Sequence, residues 1–106
     1  MEEVYVVWET WLKSETAEQG FKITTDIWVD MRGFDGYLGH FLLRDEDDPG
    51  HLILVSSWKT REAADKTKDI YGDSPNVIAL RPLLTKERSR TVCDLKEVNG
   101  KVLPLS

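Results

Sequence analysis

Two side chains of this sequence could carry out chemistry on an aromatic small molecule. His40 lies between Gly39 and Phe41 in a stretch of strand-forming residues. Because imidazole titrates near neutral pH, His40 could accept a proton from a phenol as a general base. Trp58 could offer a bound ring a flat apolar wall and an N–H donor. Each also has a structural alternative: a half-buried histidine satisfied by a carbonyl or at a subunit contact, and a core tryptophan.

Aromatic residues are frequent enough to build a pocket around these two side chains, since the chain has four tryptophans and three tyrosines. The residues that we place in the candidate ligand pocket are Trp28, Tyr37, Leu54 and Ser56. Trp8 and Trp11 could line the same pocket. All of these aromatic side chains could equally fill the core or an interface between subunits.

Charged residues and the one cysteine complete the candidate set. Glu9 lies among apolar neighbours and could be a general base, an ion-pair partner at an interface, or a solvent-exposed residue without a role. Lys86, Arg88 and Arg90 alternate at a period of two, so we predict that they share one solvated strand edge. That segment lacks the interleaved aromatic residues of a single-strand nucleic-acid binder. Cys93 is expected to be a small buried apolar residue.

Apolar periodicity and turn residues predict the elements that would position these side chains. Runs of β-branched and aromatic residues predict strands, and apolar spacings of three and four predict helices. The predicted elements are a strand over 3–12, a helix over 14–32, strands over 37–45 and 51–58, a helix over 60–72, a short helical turn from 74 and a strand over 83–97. Asn99-Gly100 predicts a hairpin that would fold residues 102–105 back on the last strand or onto a neighbouring chain.

Local signals predict the ends and buried faces of the two long helices. Ser14 is the predicted N-cap of the first helix, and Gly33 is predicted to end it in the left-handed conformation. Gly20 destabilises that helix by about 1 kcal/mol relative to alanine, but it would allow a close approach to the sheet. Thr60 is the predicted N-cap of the second helix, whose apolar face is predicted to include Ile70.

The element order β-α-β-β-α-β predicts an α+β fold. It is the ferredoxin-like arrangement, with a four-stranded antiparallel sheet and both helices on one face. The second and third strands are apolar on both faces, in Phe41-Leu42-Leu43 and Leu52-Ile53-Leu54-Val55. One chain of this length cannot cover the second face with a layer of its own. We therefore expect a homodimer in which two sheets pack face to face as a dimeric α+β barrel.

Length, composition and charge limit the classes of function. The 106 residues suit one domain, which we take as residues 1–106. The net charge of −5 disfavours nucleic acid and membrane as partners. The single cysteine excludes an internal disulfide and a cysteine-rich metal site, and no apolar run approaches the roughly 18 residues of a membrane span. Met1-Glu2-Glu3 lacks the features of a signal peptide, so we expect a cytoplasmic protein.

Several short motifs follow one another along the chain. They are Gly33-Phe34-Asp35-Gly36-Tyr37, Leu43-Arg44-Asp45 with Asp48-Pro49-Gly50, and Ser57-Trp58-Lys59-Thr60-Arg61-Glu62-Ala63. Over residues 3–95 this succession resembles the antibiotic biosynthesis monooxygenase-like (ABM) family of dimeric α+β barrels. That family includes cofactor-free oxygenases of polycyclic phenols or anthrones, heme-degrading enzymes and proteins without an assigned activity. The resemblance implies, as the leading function, a cofactor-independent monooxygenase acting on an aromatic or polycyclic phenolic molecule.

Only some of the functional residues of the family have a counterpart in this sequence. Trp58 matches a tryptophan of both the anthrone-oxidising and the heme-degrading members. Leu54 stands where the anthrone oxygenases have an asparagine, and Arg81 lies near the place of their arginine. The first-strand asparagine and second-helix histidine of the heme-degrading members have no counterpart, so heme degradation is the weaker implication. The alternative to an enzyme is a non-catalytic small-molecule-binding or scaffold dimer, and no cofactor or metal is expected.

Overall fold

The computed structural model describes residues 3–102, and its central element is a four-stranded antiparallel sheet. The strands are β1 (Val4–Trp11), β2 (Tyr37–Arg44), β3 (His51–Trp58) and β4 (Ser89–Cys93). They lie in the order β2-β3-β1-β4, so β1 pairs with β3 on one side and with β4 on the other. This strand order is that of the predicted ferredoxin-like α+β fold, which is confirmed.

Three helices pack on one face of this sheet. They are α1 (Ala17–Met31), α2 (Arg61–Tyr71) and α3 (Pro75–Leu80). The Thr60 hydroxyl accepts the N–H of Ala63, so the predicted cap of α2 is confirmed. The Ser74 hydroxyl accepts the N–H of Val77 in the same way at the start of α3. No helix within residues 3–102 is long and apolar enough to cross a membrane.

The core lies between the helices and the near face of the sheet. Buried and partly exposed residues alternate strictly along β3, which gives the sheet one covered face and one open face. The buried apolar cluster contains Val4, Val6, Leu12, Ile27, Trp28, Met31, Leu52, Leu54, Trp58, Ala64, Val77 and Leu80. On the open face, Phe41 and Leu43 are 57% and 47% exposed. The predicted apolar second face is therefore present on this sheet.

The first helix begins later than predicted, and Ser14 is not its cap. Ser14–Thr16 form a 3-10 turn, and the Ser14 hydroxyl donates to the Glu15 carboxylate at 3.2 Å. The turn closes because the Thr16 N–H donates to the Lys13 carbonyl. The main helix then starts at Ala17 without a side-chain cap.

The end of α1 also differs from the prediction. Gly33 is not left-handed, because the chain continues in right-handed turns in which its N–H donates to the Asp30 carbonyl and that of Phe34 to the Met31 carbonyl. The positive φ falls instead on Gly36, at 85°. The tight turn into β2 thus uses the second glycine of the motif.

The last strand of the sheet is much shorter than the predicted 83–97. The chain leaves α3 through a 3-10 turn at Arg81–Leu83, and Leu84 then makes an isolated bridge to Leu12 before β4 begins at Ser89. The segments β5 (Glu97–Val98) and β6 (Lys101–Val102) form a separate hairpin. Asn99 and Gly100 both have positive φ there, so the hairpin prediction is confirmed. Residues 103–105, which were predicted to continue it, lie outside the described residues.

Two predictions about buried helix faces have opposite outcomes. A Cβ atom on Gly20 would lie 2.5 Å from Cδ2 of Leu12, so the predicted close approach beside the sheet is confirmed. Ile70 is 60% exposed, so its predicted burial is wrong. The buried residues of α2 are Ala64 and Thr67 instead, in the part of the helix before its last turn.

Candidate functional site

A cavity of about 60 Å³ lies between the sheet and the helices. Trp8 of β1 and Trp58 of β3 form part of its sheet side, and Trp28, Met31 and Tyr71 close it from α1 and α2. Its walls are therefore mainly aromatic and apolar, as in small-molecule sites. This volume is below the roughly 150 Å³ of a closed cavity that takes up benzene. The cavity is partly open to solvent, so a ring larger than its interior would extend out through the opening.

Trp58 forms one wall of this cavity and is 2% exposed. Its indole N–H donates to the Ser56 hydroxyl at 3.0 Å, and that hydroxyl donates to the Val6 carbonyl at 3.2 Å. The indole N–H is thus satisfied within the core, and Trp58 presents its ring to the cavity. Leu54, at the position where the resemblance implied an asparagine, is 2% exposed and does not line the cavity.

His40 and Tyr37 form a hydrogen-bonded pair on β2, with the Tyr37 hydroxyl 2.5 Å from Nδ1 of His40. The His40 ring lies 5.6 Å from that of Trp28, and the Tyr37 ring meets Trp58 edge-on at 5.7 Å. Burial, and to a smaller extent the charge of Arg32, lowers the pKa of His40, so its imidazole is neutral at pH 7. Neither Tyr37 nor His40 lines the cavity, and each contacts a tryptophan that does.

The structure therefore brings some of the predicted site residues together and separates others. Trp28 and Trp58 line the cavity, and Tyr37 and His40 contact them from the edge strand. Ser56 and Leu54 are buried in the core beneath. Cys93, which was predicted to be buried, is partly exposed.

Two arginines form part of the cavity wall, so the prediction of a solvated strand edge is wrong for them. Arg90 pairs with Trp8 across β1 and β4, its side chain is 16% exposed, and it donates to Asp65 at 2.8 Å. The Arg88 guanidinium lies 4.8 Å from the centre of the Trp8 ring. The period of two in the sequence placed both on one face. Only the register of β4 against β1 shows that this face is the one under the helices.

A second polar cluster lies on the open face of the sheet. His51 is hydrogen-bonded through Nδ1 to Asp45 at 3.0 Å and through Nε2 to Glu9 at 2.9 Å. The hydrogen bond with Asp45, followed by that with Glu9, raises the pKa of His51. Trp11 stacks on the His51 ring at 5.1 Å, and the Lys86 ammonium lies 4.0 Å from the centre of the Trp11 ring. Glu9 is therefore a hydrogen-bond partner of His51, and the contact becomes an ion pair when the imidazole is protonated. Lys86 contacts Trp11, whereas Arg88 contacts Trp8, and Lys86 and Arg88 border one open groove.

A metal ion would need several ligating side chains close together. Within residues 3–102, no set of three or more His, Cys, Asp and Glu side chains has an arrangement suited to a metal ion.

Comparison with known proteins assigns the chain to a family. Residues 3–68 match the family model of antibiotic biosynthesis monooxygenases, and the chain belongs to that family. A comparison with curated proteins found no match.

Solved structures agree on the fold. One is an Asn-to-Ala variant of SnoaB, a cofactor-independent oxygenase from Streptomyces nogalater, with a TM-score of 0.81, 19% identity and coverage of 99% of this chain and 100% of that chain. Rv0793 from Mycobacterium tuberculosis has a TM-score of 0.74 at 21% identity, covering 92% of this chain and 98% of that one. A conserved protein from Methanosarcina mazei has a TM-score of 0.73 at 17% identity, covering 87% and 91%. At these identities the likeness shows the fold alone.

Proposed function

We propose that the protein is a cofactor-independent monooxygenase that acts on an aromatic or polycyclic phenolic small molecule. The observation that carries this proposal is the cavity between sheet and helices, which has three tryptophans and a tyrosine among its walls. Flat apolar walls of this kind suit a planar ring. Membership of the monooxygenase family and the likeness to a cofactor-independent oxygenase support it.

The proposed reaction needs no reductant other than its substrate. Oxidation of a ring methylene to a carbonyl consumes one dioxygen and releases one water, and the substrate supplies all four electrons. The phenol first loses its proton, because a phenolate gives an electron to dioxygen more readily than a phenol does. The substrate radical and superoxide then combine in a C–O bond, and the resulting peroxide anion takes back the proton that the base removed. Loss of water from this hydroperoxide, with the remaining hydrogen of the former methylene, leaves the carbonyl.

Side chains at the site are proposed to serve the proton step and the charge that it creates. His40 is the proposed base, since its imidazole is neutral at pH 7, and Trp28 would have to turn aside for a phenol to reach it. Lys68 and Arg90 line the cavity and would stabilise a phenolate in its apolar interior. Trp58 would hold the plane of the ring.

The second candidate function is a non-catalytic small-molecule-binding or scaffold dimer. The small volume of the cavity favours it, as does the buried Leu54 at the position of the catalytic asparagine that the resemblance implied. Heme degradation is a weaker third candidate. It predicts a Soret band when stoichiometric heme is added, and the lack of such a band would eliminate it.

We also propose that two copies of the chain associate through the open sheet face, in the cytoplasm. Phe41 and Leu43 lie exposed on that face, where a second sheet would cover them. A barrel closed in this way would carry one cavity in each protomer, on the side away from the subunit contact.

The test of the aromatic site is a titration of intrinsic tryptophan fluorescence with heme, an anthrone, a naphthoquinol and a flavin. We expect saturable quenching by one of the polycyclic phenols, followed by oxygen uptake with that compound. Ala64→Leu should fill the cavity and abolish the quenching, because Ala64 is 3% exposed in the cavity wall. Ala79→Leu adds the same bulk at an exposed position of α3 and should leave it unchanged. If none of the compounds quenches saturably, the scaffold function is favoured.

A further inference from the structure

Arg88 lies on a wall shared by two spaces of the site. Together with Trp8 it borders the cavity of about 60 Å³ between the sheet and the helices. The same two residues also border an open groove of about 460 Å³. A molecule too large for the cavity could therefore place one ring inside and extend past Arg88 into the groove.

Both spaces are strongly cationic, in a chain whose net charge is −5. The cations that line the cavity or the groove are Lys68, Arg81, Lys86, Arg88 and Arg90. The only carboxylate among the described residues that line either space is Glu87, in the groove. The chain as a whole carries a net negative charge. The local concentration of positive charge would nevertheless attract an anionic molecule to this site.

The arginines of this site differ in whether the chain itself neutralises them. Arg81 lies 3.5 Å from Asp73, and Arg90 lies 2.8 Å from Asp65. Within residues 3–102, no carboxylate is paired with Arg88, and Nε of Arg90 is buried without a hydrogen-bond partner. Burial, with the nearby Arg81 charge adding to it, lowers the pKa of Arg88, although a guanidinium stays protonated. A partly buried cation without a counter-ion is a group that an anionic ligand would stabilise.

We infer that the cavity and the groove together bind an aromatic acid, with the ring against Trp8 and the carboxylate held by Arg88. The planar guanidinium can donate two parallel hydrogen bonds to one carboxylate, which gives both affinity and orientation. The inference rests on the proposed function for its aromatic part and narrows the substrate to compounds that carry an acid group. Arg88 would be the residue that distinguishes such acids from neutral phenols.

The test compares two probes of nearly the same shape, salicylate and salicylamide, by equilibrium dialysis at a mildly acidic pH where the amide is neutral. We expect the wild-type protein to bind salicylate about tenfold more tightly or better, which corresponds to about 1.4 kcal/mol. Arg88→Gln should bring the two affinities close together, and Arg88→Lys should keep part of the difference. Arg44→Gln is the matched control, because its guanidinium also lies over an aromatic ring, that of Phe21 at 4.4 Å, but does not line the cavity or the groove.

The outcomes separate this inference from the proposed function. Equal binding of the two probes by the wild-type protein would overturn the inference and leave the aromatic site standing. A preference for salicylate that survives in Arg88→Gln would also overturn it, because another cation would then be responsible. Absence of binding by both probes would contradict the aromatic site and the inference together. If Arg88→Gln does not fold, the wild-type ratio and its decline in Arg88→Lys decide the question.

Discussion

Trp58 serves the core and the cavity with different parts of one side chain. Its N–H is bonded to Ser56, and its ring faces the cavity. Trp58→Phe removes the hydrogen bond and some buried volume, so the free energy of unfolding should fall by about 1–3 kcal/mol in urea denaturation. The affinity for aromatic ligands, measured by dialysis, should fall with it because the wall recedes.

The matched variant for this prediction is Ser56→Ala. It removes the hydrogen bond at Trp58 and the one to the Val6 carbonyl, and it leaves the buried indole N–H unpaired but keeps the ring. It should therefore lower stability by about 1–3 kcal/mol and leave aromatic binding nearly unchanged. If Trp58→Phe binds aromatic ligands as well as the wild-type protein does, the ring of Trp58 has no part in the site.

The two histidines should titrate on opposite sides of the ordinary value of 6.5. Asp45 and Glu9 raise the pKa of His51, whereas burial and Arg32 lower that of His40. The chain has only these two histidines, so two imidazole resonances followed by NMR against pH report them separately. His51→Gln should remove the higher midpoint and His40→Gln the lower one. Midpoints in the reverse order would contradict the two environments.

These shifts also fix the sign of two contributions to stability. The contribution of His51, whose folded pKa is raised, is fully present below pH 6.5 and is lost as the pH rises through its folded pKa. The contribution of His40, whose folded pKa is lowered, is present above pH 6.5 and is lost as the pH falls through its folded pKa. Urea denaturation of the two glutamine variants against pH should show these opposite trends.

The sequence predicts the aromatic part of the site better than its charged part. Trp28 and Trp58 could be found because large aromatic residues are highly buried on average, although Phe41 is an exception on the open face. Arg88 and Arg90 could not, because a charged residue at a strand edge is usually solvated. Their position depends on the pairing of Trp8 with Arg90, which is a contact between distant parts of the chain.

At the scale of elements, prediction succeeded where the apolar pattern and the turn residues agree. The third strand was predicted with its observed bounds, 51–58, because Pro49-Gly50 precedes it and the Thr60 cap follows it. The prediction of the last strand, over 83–97, was wrong at its beginning, because tertiary contacts hold the strand-like residues 83–84 away from β4. Leu84 makes a single bridge to Leu12, and the chain around it turns instead of extending along the sheet.

Gly36 should be the least replaceable residue of the turn between α1 and β2. It has φ of 85°, and a Cβ atom there would lie 2.5 Å from Cβ of Ala63 at the start of α2. Gly36→Ala should therefore lower the free energy of unfolding by about 2–4 kcal/mol in urea denaturation. Gly39→Ala is the control, since its Cβ would meet nothing within 4 Å, and it should change stability by about 0.5 kcal/mol or less. Equal effects of the two variants would contradict the tight contact between this turn and α2.

At the scale of the whole molecule, the open sheet face is where a second chain is expected. Phe41 is 57% exposed there, whereas Ile70 is 60% exposed on α2, on the opposite side of the sheet. Phe41→Glu should convert a dimer to a folded monomer in light scattering at micromolar concentration, because it places a charge in the apolar contact. Ile70→Glu should remain a dimer. A monomeric wild-type protein at that concentration would rule out the dimer.

The most direct test of the proposed activity is oxygen uptake by the purified protein with dithranol, a dihydroxyanthrone, in the presence of a metal chelator and without added flavin. We expect uptake faster than autoxidation, with one dioxygen consumed per anthrone. That rate should be lost in the cavity-filling variant Ala64→Leu and kept in Ala79→Leu. Uptake no faster than autoxidation, from protein shown to bind the compound, would contradict the oxygenase and leave a binding protein of the same fold.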